Sequence, residues 1–238
     1  MKIAICFWGL CRSTDKIVES LQKNVFEVLT AAGIDYDVFV HTFSIHRVYS
    51  NARAGEQGLM LNNSLHALLN PKVALIEDQD EVDARLDLTA YRSRGDAWVG
   101  QGAPWQTFEN HIRSLYSLNR VTQLWKNGSY DYVVYLRPDV KYLNPIDVRW
   151  FQPHYLVMTD FGQCPVNDRF ALGTPTAAAV FGERFLGALE FSKRQPLHSE
   201  KFLDYALRMN RVPTIEVPFR FRRVRATGEE CEMNIVAP

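Results

Sequence analysis

The hydrophobic positions of the chain form short unbroken apolar runs separated by longer stretches with a helical period. Lys2–Trp8 is an apolar run ended by Gly9, and residues 36–43 form a second run rich in β-branched and aromatic side chains. Such runs are typical of strands that are buried on both faces. Residues 15–32, between them, show the spacing of an amphipathic helix that ends at Gly33. The order strand, helix, strand is typical of a parallel sheet with crossover helices.

The same patterns predict elements along the rest of the chain. We expect strands at residues 72–77, Tyr132–Leu136, 155–158 and Thr214–Val217, and helices at 64–69, 107–126, 183–193 and 199–210. The small residues of 176–182 predict a strand or a turn. Segments 44–63 and 78–106 lack a clear hydrophobic period. We expect the first to be a surface excursion and the second to be a mobile loop with some helix. Together these elements predict one α/β domain with a mostly parallel central sheet flanked by helices.

Composition and charge indicate which classes of binding partner are not expected. The 238 residues include 27 Lys and Arg and 27 Asp and Glu, so the formal net charge is zero and a nucleic-acid partner is not expected. No stretch approaches the ~18–20 apolar residues of a membrane span. The first apolar run is too brief for a signal peptide. We therefore expect a cytoplasmic protein, in the host cytoplasm if a virus encodes it, whose four cysteines are free thiols.

A glycine turn follows the first predicted strand, at the position where ligands bind in open α/β sheets. The turn leads into a helix N-terminus, whose free N–H groups favour an anion. Gly9, Leu10, Arg12 and Ser13 are therefore candidates for contacting the nucleotide part of a ligand. An ordinary strand-to-helix turn would show the same pattern.

A second motif, YLRPDV, ends the strand predicted at Tyr132–Leu136. Asp139 could hold a divalent cation or a ribose hydroxyl at this position. Arg137 could contact a phosphate, because a guanidinium matches phosphate geometry. A surface pair of Arg137 with Asp139 is the alternative explanation.

Acidic side chains recur in the second half of the chain. In the loop VNDRF, Asn167 and Asp168 could bind sugar hydroxyls with Arg169 beside them, or Asp168 could accept a proton from an acceptor hydroxyl. An Asx turn would explain this loop without a ligand. Glu200 lies at the start of a predicted helix, which favours an anion whether or not a ligand binds, and the neighbouring His198 could ligate a metal.

Aromatic and basic side chains complete the set of candidates. Trp98 and Trp105 lie in a glycine-rich segment and could stack on a sugar, or could anchor the loop locally. Arg220 and Arg222 alternate in an extended segment near the C-terminus and so share one face. They could reach a pyrophosphate, or belong to a solvated edge strand.

The order of these motifs resembles that of WavE-like and related microbial or large-virus glycosyltransferases of the GT-A type. The matching segments span most of the chain: ICFWGLCRST, YDVFVHTF, HIRSLYSLNRVTQLW, YDYVVYLRPDV, VNDRF and SEKFLDYAL. The resemblance implies a single GT-A-like (Rossmann-like) domain over residues 1–238. Its donor half would be 1–140 and its acceptor and catalytic half 141–238. It also implies that Arg-Pro-Asp is the counterpart of the Asp-x-Asp motif that binds metal and nucleotide diphosphate.

The activity that the resemblance implies is transfer of a sugar from a UDP-sugar, or alternatively a GDP-sugar, to a hydroxyl of a glycan or glycoprotein. Because Arg137 replaces the first acid of Asp-x-Asp, two schemes stay open. Either Asp139 and His198 hold Mn²⁺ or Mg²⁺, or Arg137 and the C-terminal arginines neutralise the diphosphate without metal. Asp168, slightly preferred, and Glu200 are the candidate bases of an inverting enzyme, whereas a retaining enzyme needs neither in that role.

Two other functions fit the same motifs. One is a sugar nucleotidyltransferase, although the turn at residues 9–14 matches the glycine-rich, basic signature of such enzymes poorly. The other is a non-catalytic module that binds sugars or nucleotides.

Overall fold

A seven-stranded sheet forms the centre of the molecule, in a computed structural model that describes residues 1–162 and 165–231. In chain order the strands are β1 (Lys2–Trp8), β2 (Asp35–Ser44), β3 (Tyr49–Asn51), β4 (Glu56–Leu59), β5 (Val73–Asp78), β6 (Tyr132–Leu136), β7 (Val140–Tyr142), β8 (Leu156–Thr159), β9 (Ala171–Gly173), β10 (Thr214–Val217) and β11 (Phe221–Arg223). The α-helices are α1 (Thr14–Leu21), α2 (Glu27–Ala31), α3 (Gln79–Arg85), α4 (Gln106–Trp125), α5 (Pro175–Gly182), α6 (Phe185–Ser192) and α7 (Ser199–Met209).

The central sheet is mostly parallel. Its strand order is β10-β8-β9-β6-β1-β2-β5, and only β9 runs antiparallel to its neighbours. Two small antiparallel pairs, β3 with β4 and β7 with β11, lie outside it. This confirms the α/β class with a mostly parallel central sheet flanked by helices, and it is compatible with a single Rossmann-like domain.

Strand β1 shows why the sheet is covered on both faces. Ile3, Ile5 and Phe7 pack in one core with α1, α2 and the β7–β11 pair, whereas Ala4 and Cys6 pack in another with α4, α5 and α7. Successive side chains of a strand point to opposite faces. Since both faces meet apolar partners, the strand has to be apolar throughout, as parallel strands between two helical layers are.

Most predicted elements are confirmed with small shifts of their ends. Strands β1, β6 and β10 have the predicted bounds, and α4 begins and ends one residue before the prediction. The helix predicted at 15–32 is continuous, but a π-helical segment, Gln22–Phe26, joins α1 to α2. The short helix expected at 64–69 is the 3₁₀ helix Leu65–Leu69.

Several segments differ from the predictions. Residues 176–182 form the helix α5, because Pro175 suits a first helical turn and the alanines that follow favour a helix. The excursion at 44–63 contains the β3–β4 hairpin, and Glu56 on it is only 1% exposed. Segment 78–106, by contrast, contains some helix as predicted, namely α3 and the 3₁₀ helix Leu88–Arg94. The loop 161–173 supplies β9, which inserts between β6 and β8.

Two further predictions concern cysteines and membrane spans. Cys6, Cys11 and Cys231 are free thiols, and Cys164 lies outside the described residues. Among the helices of residues 1–162 and 165–231, none combines the length and the apolar character needed to cross a membrane.

Candidate functional site

A crevice lies at the carboxyl ends of β1 and β6. The chain leaves β1 towards β2 and β5 and then returns on the other side of β1 to form β6, so the direction of strand addition reverses between β1 and β6. In open α/β sheets such a reversal opens a crevice in which ligands bind. Gly9 and Arg137, which directly follow these two strands, both line a cavity there.

Gly9 makes the turn between β1 and α1. Its φ is +90°, a region that favours glycine, and its N–H donates to Oγ of Ser117 at 2.8 Å. A Cβ atom at this position would lie 3.3 Å from Nη1 of Arg137. The glycine therefore lets the guanidinium of Arg137 lie directly against the turn.

A buried histidine holds Ser117 in place. Nδ1 of His41 lies 2.7 Å from the Ser117 Oγ, and Nε2 of His41 lies 3.0 Å from Glu77 Oε2. Burial lowers the pKa of His41, and the hydrogen bond from His41 helps to lower the pKa of Glu77 to about 2. A neutral His41 that donates to Glu77 can accept from the Ser117 hydroxyl, whose oxygen is then free to accept from Gly9. These three residues thereby fix the position of the turn.

The carboxylate of Asp139 is bound by two arginines. Oδ1 accepts from Nε of Arg137 at 2.9 Å, and Oδ2 accepts from Nη2 of Arg137 at 3.0 Å and from Nη2 of Arg12 at 3.1 Å. Nη1 of Arg12 in turn donates to Oε2 of Glu56 at 2.8 Å. Burial raises the pKa of Asp139, but the two guanidinium groups outweigh it and hold that pKa well below its usual range. The four side chains form a chain of alternating charges that is neutral as a whole.

This arrangement does not fit a divalent cation. Mg²⁺ and Mn²⁺ require carboxylate oxygens that face the ion, whereas both oxygens of Asp139 face guanidinium groups. His198 lines a different cavity from Asp139. In the described part of the chain, no three His, Cys, Asp or Glu side chains are grouped so that they could hold a metal. This corrects the pairing of Asp139 with His198 as metal ligands and favours the scheme that uses arginines.

The cavity beside Gly9 has a volume of about 120 Å³. Its wall includes the rings of Phe43 and Tyr49 and the amide side chains of Asn51, Gln79 and Asn110. Leu10 and the arginines at positions 12, 113 and 137 also line it, and each of these arginines has a carboxylate partner. We call it the smaller cavity; it is polar, partly aromatic and without an unpaired charge.

A larger cavity of about 250 Å³ adjoins the smaller one. Asn110, Ser114 and Arg137 line both cavities, so the two meet at these residues. Charged side chains dominate the larger cavity: Arg53, Arg137, Asp168, Arg169, Arg184, Glu200 and Arg223. Asp139 neutralises Arg137, so four further arginines face two carboxylates, which makes the larger cavity suitable for an anionic ligand.

The two carboxylates of the larger cavity differ in their ionisation. Glu200, in the first turn of α7, is 7% exposed; burial and the charge of Asp168 raise its pKa to about 7. Burial also raises the pKa of Asp168, but the charges of Arg169 and Arg184 outweigh it and lower that pKa overall. At neutral pH Asp168 is therefore ionised and Glu200 exchanges a proton readily, as a general base or acid requires.

An aromatic group lies beside these carboxylates. The ring of Trp98 stacks on His198, with centroids 5.3 Å apart, and contacts His111 edge-on at 5.4 Å. Burial lowers the pKa of His111 to about 3 and that of His198 below its usual value. Nε2 of His111 and Nδ1 of His198 lack hydrogen-bond partners among the described residues. Both residues line the larger cavity, but these two nitrogens are themselves buried.

Five predicted site residues do not line either cavity, and one of them, Arg220, pairs with Asp160 instead. Ser13 is buried and donates to the Val224 carbonyl oxygen. Asn167 is buried too, and its side chain bonds Phe161 and the Arg169 backbone, so it shapes the loop as an Asx turn does.

The other two are Trp105 and Arg222. Trp105 lies under the guanidinium of Arg92, whereas Trp98 faces the cavity. Arg222 is 44% exposed and pairs with Glu230. Because successive strand residues face opposite sides, Arg223 lines the cavity instead. We correct these two assignments accordingly.

Sequence reasoning also missed several residues of the site. Glu56, Tyr49 and Arg53 lie in a segment without periodicity, so no pattern marked them. His111 interrupts the buried apolar stripe of α4, and this polar position was the signal that could have found it, whereas Asn110 is only partly buried and gave no such signal. Comparison with known proteins does not extend the assignment, because neither a family model nor a curated protein matches the chain.

Proposed function

We propose that this protein is a glycosyltransferase that moves a sugar from a nucleoside-diphosphate sugar to a hydroxyl acceptor. The observation that carries the proposal is the pair of adjoining cavities at the reversal of strand order between β1 and β6. A ligand with one uncharged, aromatic end and one anionic, hydroxylated end matches these two compartments. A nucleotide sugar has that composition.

The nucleoside would occupy the smaller cavity. Phe43 and Tyr49 offer aromatic surface to a base, and Asn51 and Gln79 offer both donors and acceptors to its edge or to ribose. Each arginine on this wall is neutralised by a carboxylate, which suits the uncharged part of the donor. UDP-sugars are the first donors to test, with GDP-sugars second.

The sugar and the acceptor would meet in the larger cavity. In an inverting transfer, the Glu200 carboxylate takes the proton of the acceptor hydroxyl while the acceptor oxygen bonds to the anomeric carbon. The bond from that carbon to the diphosphate oxygen breaks, and its electron pair leaves with the diphosphate. Glu200 suits the role of base because its pKa is about 7, and so replaces Asp168 as the preferred candidate.

Asp168 would then bind the sugar. Its carboxylate is ionised and lines the larger cavity near Trp98, whose ring can cover an apolar face of a pyranose. The departing diphosphate would be neutralised by arginines, since the residues present do not fit a metal ion.

The experiment is a release assay with the purified chain. UDP- and GDP-sugars are incubated with hydroxyl acceptors in EDTA, and free UDP or GDP is measured. We expect acceptor-dependent release, and a kcat lower by roughly 10²-fold or more in Glu200→Gln with the donor Kd little changed. Asp204→Asn, on the same helix but outside both cavities, is the control.

Other outcomes would identify a different function. Pyrophosphate release from a nucleoside triphosphate and a sugar phosphate would instead show a nucleotidyltransferase. Tight nucleotide-sugar binding without any turnover would show a binding module.

A further inference from the structure

Three arginines from distant parts of the chain converge on the larger cavity. Arg53 belongs to the 3₁₀ helix Ala52–Ala54, Arg169 to the loop before β9, and Arg223 to β11. All three line the larger cavity. We call them the arginine triad.

Few negatively charged groups balance the three guanidinium groups of the triad. Within the described residues, the side chains of Arg53 and Arg223 make no hydrogen bond or ion pair, whereas Arg169 pairs with Glu200 at 3.6 Å. Burial lowers the pKa of Arg223 to about 10, and the charges of Arg169 and Arg225 act in the same direction. The pKa of Arg53 is lowered by the same three causes. Cations held close together repel each other, and a bound anion would relieve that repulsion.

The triad is also held in place by its surroundings. The side chain of Gln106, at the start of α4, accepts from the Ala52 N–H at 2.9 Å and donates to the Ser50 carbonyl oxygen at 3.0 Å, close to the turn that carries Arg53. Ser13 donates to the Val224 carbonyl oxygen at 2.8 Å, next to Arg223. The cationic groups are therefore presented by fixed backbone, as a binding site requires.

The triad contrasts with the Arg-Pro-Asp segment in its charge balance. Arg137 and Arg12 are neutralised by Asp139 and Glu56, so they have little charge left to offer a phosphate. The positive charge of the triad is not neutralised to the same extent. The triad lines the larger cavity, which meets the smaller cavity at Arg137. Guanidinium groups bind phosphate oxygens in bidentate geometry.

We propose that Arg53, Arg169 and Arg223 form a binding site for a diphosphate group, in place of the Arg-Pro-Asp segment and without a metal ion. The diphosphate of a ligand whose nucleoside lies in the smaller cavity would be bound there. The position of the nucleoside rests on the proposed function, but the affinity of the triad for pyrophosphate does not.

The test measures binding of inorganic pyrophosphate and of UDP by calorimetry, in EDTA at constant ionic strength. Arg53→Gln and Arg223→Gln are compared with the wild type. Arg222→Gln is the matched control, since Arg222 neighbours Arg223 in β11 but is exposed and pairs with Glu230. We expect each triad variant to lose roughly tenfold or more in affinity for both ligands, and the control to bind like the wild type.

Thermal unfolding separates loss of binding from loss of structure. Because each triad substitution removes a repelling charge, the variants should melt no lower than the wild type. The proposal is overturned if the wild type does not bind pyrophosphate, if both triad variants bind it normally, or if Arg222→Gln loses as much affinity.

The diphosphate site and the transferase can fail separately. If the triad variants lose pyrophosphate binding but no nucleotide sugar is turned over, the diphosphate site is supported and the transferase is rejected. If a nucleotide sugar is turned over while both triad variants bind pyrophosphate normally, the transferase is supported and the diphosphate site is rejected.

Discussion

Arg137 binds Asp139 through both carboxylate oxygens, with Nε 2.9 Å from Oδ1 and Nη2 3.0 Å from Oδ2. Only Pro138 separates the two residues, and Asp139 is 1% exposed. Nη2 of Arg12 also donates to Oδ2 of Asp139. The Arg-Pro-Asp segment is thus a buried ion pair that shapes the crevice, and its loss should affect both stability and binding.

Asp139→Asn should destabilise the protein strongly. Removal of the carboxylate charge leaves two buried guanidinium groups with Glu56 as their remaining anion, and breaking a buried pair in this way costs about 3–5 kcal/mol. Urea denaturation at neutral pH measures the change in the free energy of unfolding. Glu190→Gln is the control, because its pair with Lys193 is exposed and should contribute little to stability. Equal small losses in both variants would contradict the structural role of Asp139.

Gly9→Ala should weaken nucleotide binding as well as stability. Alanine at φ +90° is strained by about 1–2 kcal/mol, and its Cβ would press on the Arg137 guanidinium. Gly33→Ala is the matched control, because Gly33 also has a positive φ but nothing lies within 4 Å of its Cβ position. Both variants should lose stability in urea denaturation, and only Gly9→Ala should lose affinity for UDP in calorimetry. Loss of affinity in Gly33→Ala as well would point to a global effect.

Chelation of metal should leave nucleotide binding unchanged. Both oxygens of Asp139 are occupied by arginines, and arginines also supply the cationic charge of the larger cavity. Calorimetric titration with UDP should therefore give the same Kd in EDTA and in Mn²⁺, within about twofold. An affinity at least roughly tenfold higher in Mn²⁺ would show that a metal ion contributes to the site.

Glu200→Gln should stabilise the protein more at pH 8 than at pH 5.5. The folded-state pKa of about 7 lies above the ordinary value of 4.5, so the folded state binds more protons between these values and wild-type stability falls as pH rises through them. Glutamine does not ionise, so the substitution removes this pH-dependent loss of stability. The increase in the free energy of unfolding should be larger at pH 8 than at pH 5.5 by on the order of 2 kcal/mol. Urea denaturation at both pH values measures it. A benefit that does not change with pH would show that Glu200 titrates near its ordinary pKa.

Local patterns predicted the scaffold of the site well. The apolar run of β1 and the strand β6 were found at their full lengths, and the glycine turn and Arg-Pro-Asp were correctly placed beyond them. These features depend on side-chain periodicity within one segment. The reversal of strand order that makes the crevice follows from the same elements once their order in the sheet is known.

The composition of the site was predicted less well. Trp98 and Trp105 were both candidates but only Trp98 lines the cavity, and Arg222 was chosen over Arg223, although each pair lies within a single short segment. The choice depends on which face of a loop or strand the rest of the fold covers. For β11 that face is set by pairing with β7, from Val140–Tyr142, about 80 residues earlier in the chain.

The sequence by itself determined the α/β class, the buried strands and the strand ends at which chemistry can occur, because neighbouring side chains encode periodicity. Only the tertiary structure decided which charges are neutralised. It joined Arg12 to Glu56, 44 residues away, and to Asp139, and it brought Arg53, Arg169 and Arg223 to one cavity with little negative charge to balance them. Electrostatic free energy depends on distance and burial in space, and neither is encoded by the spacing of residues along the chain.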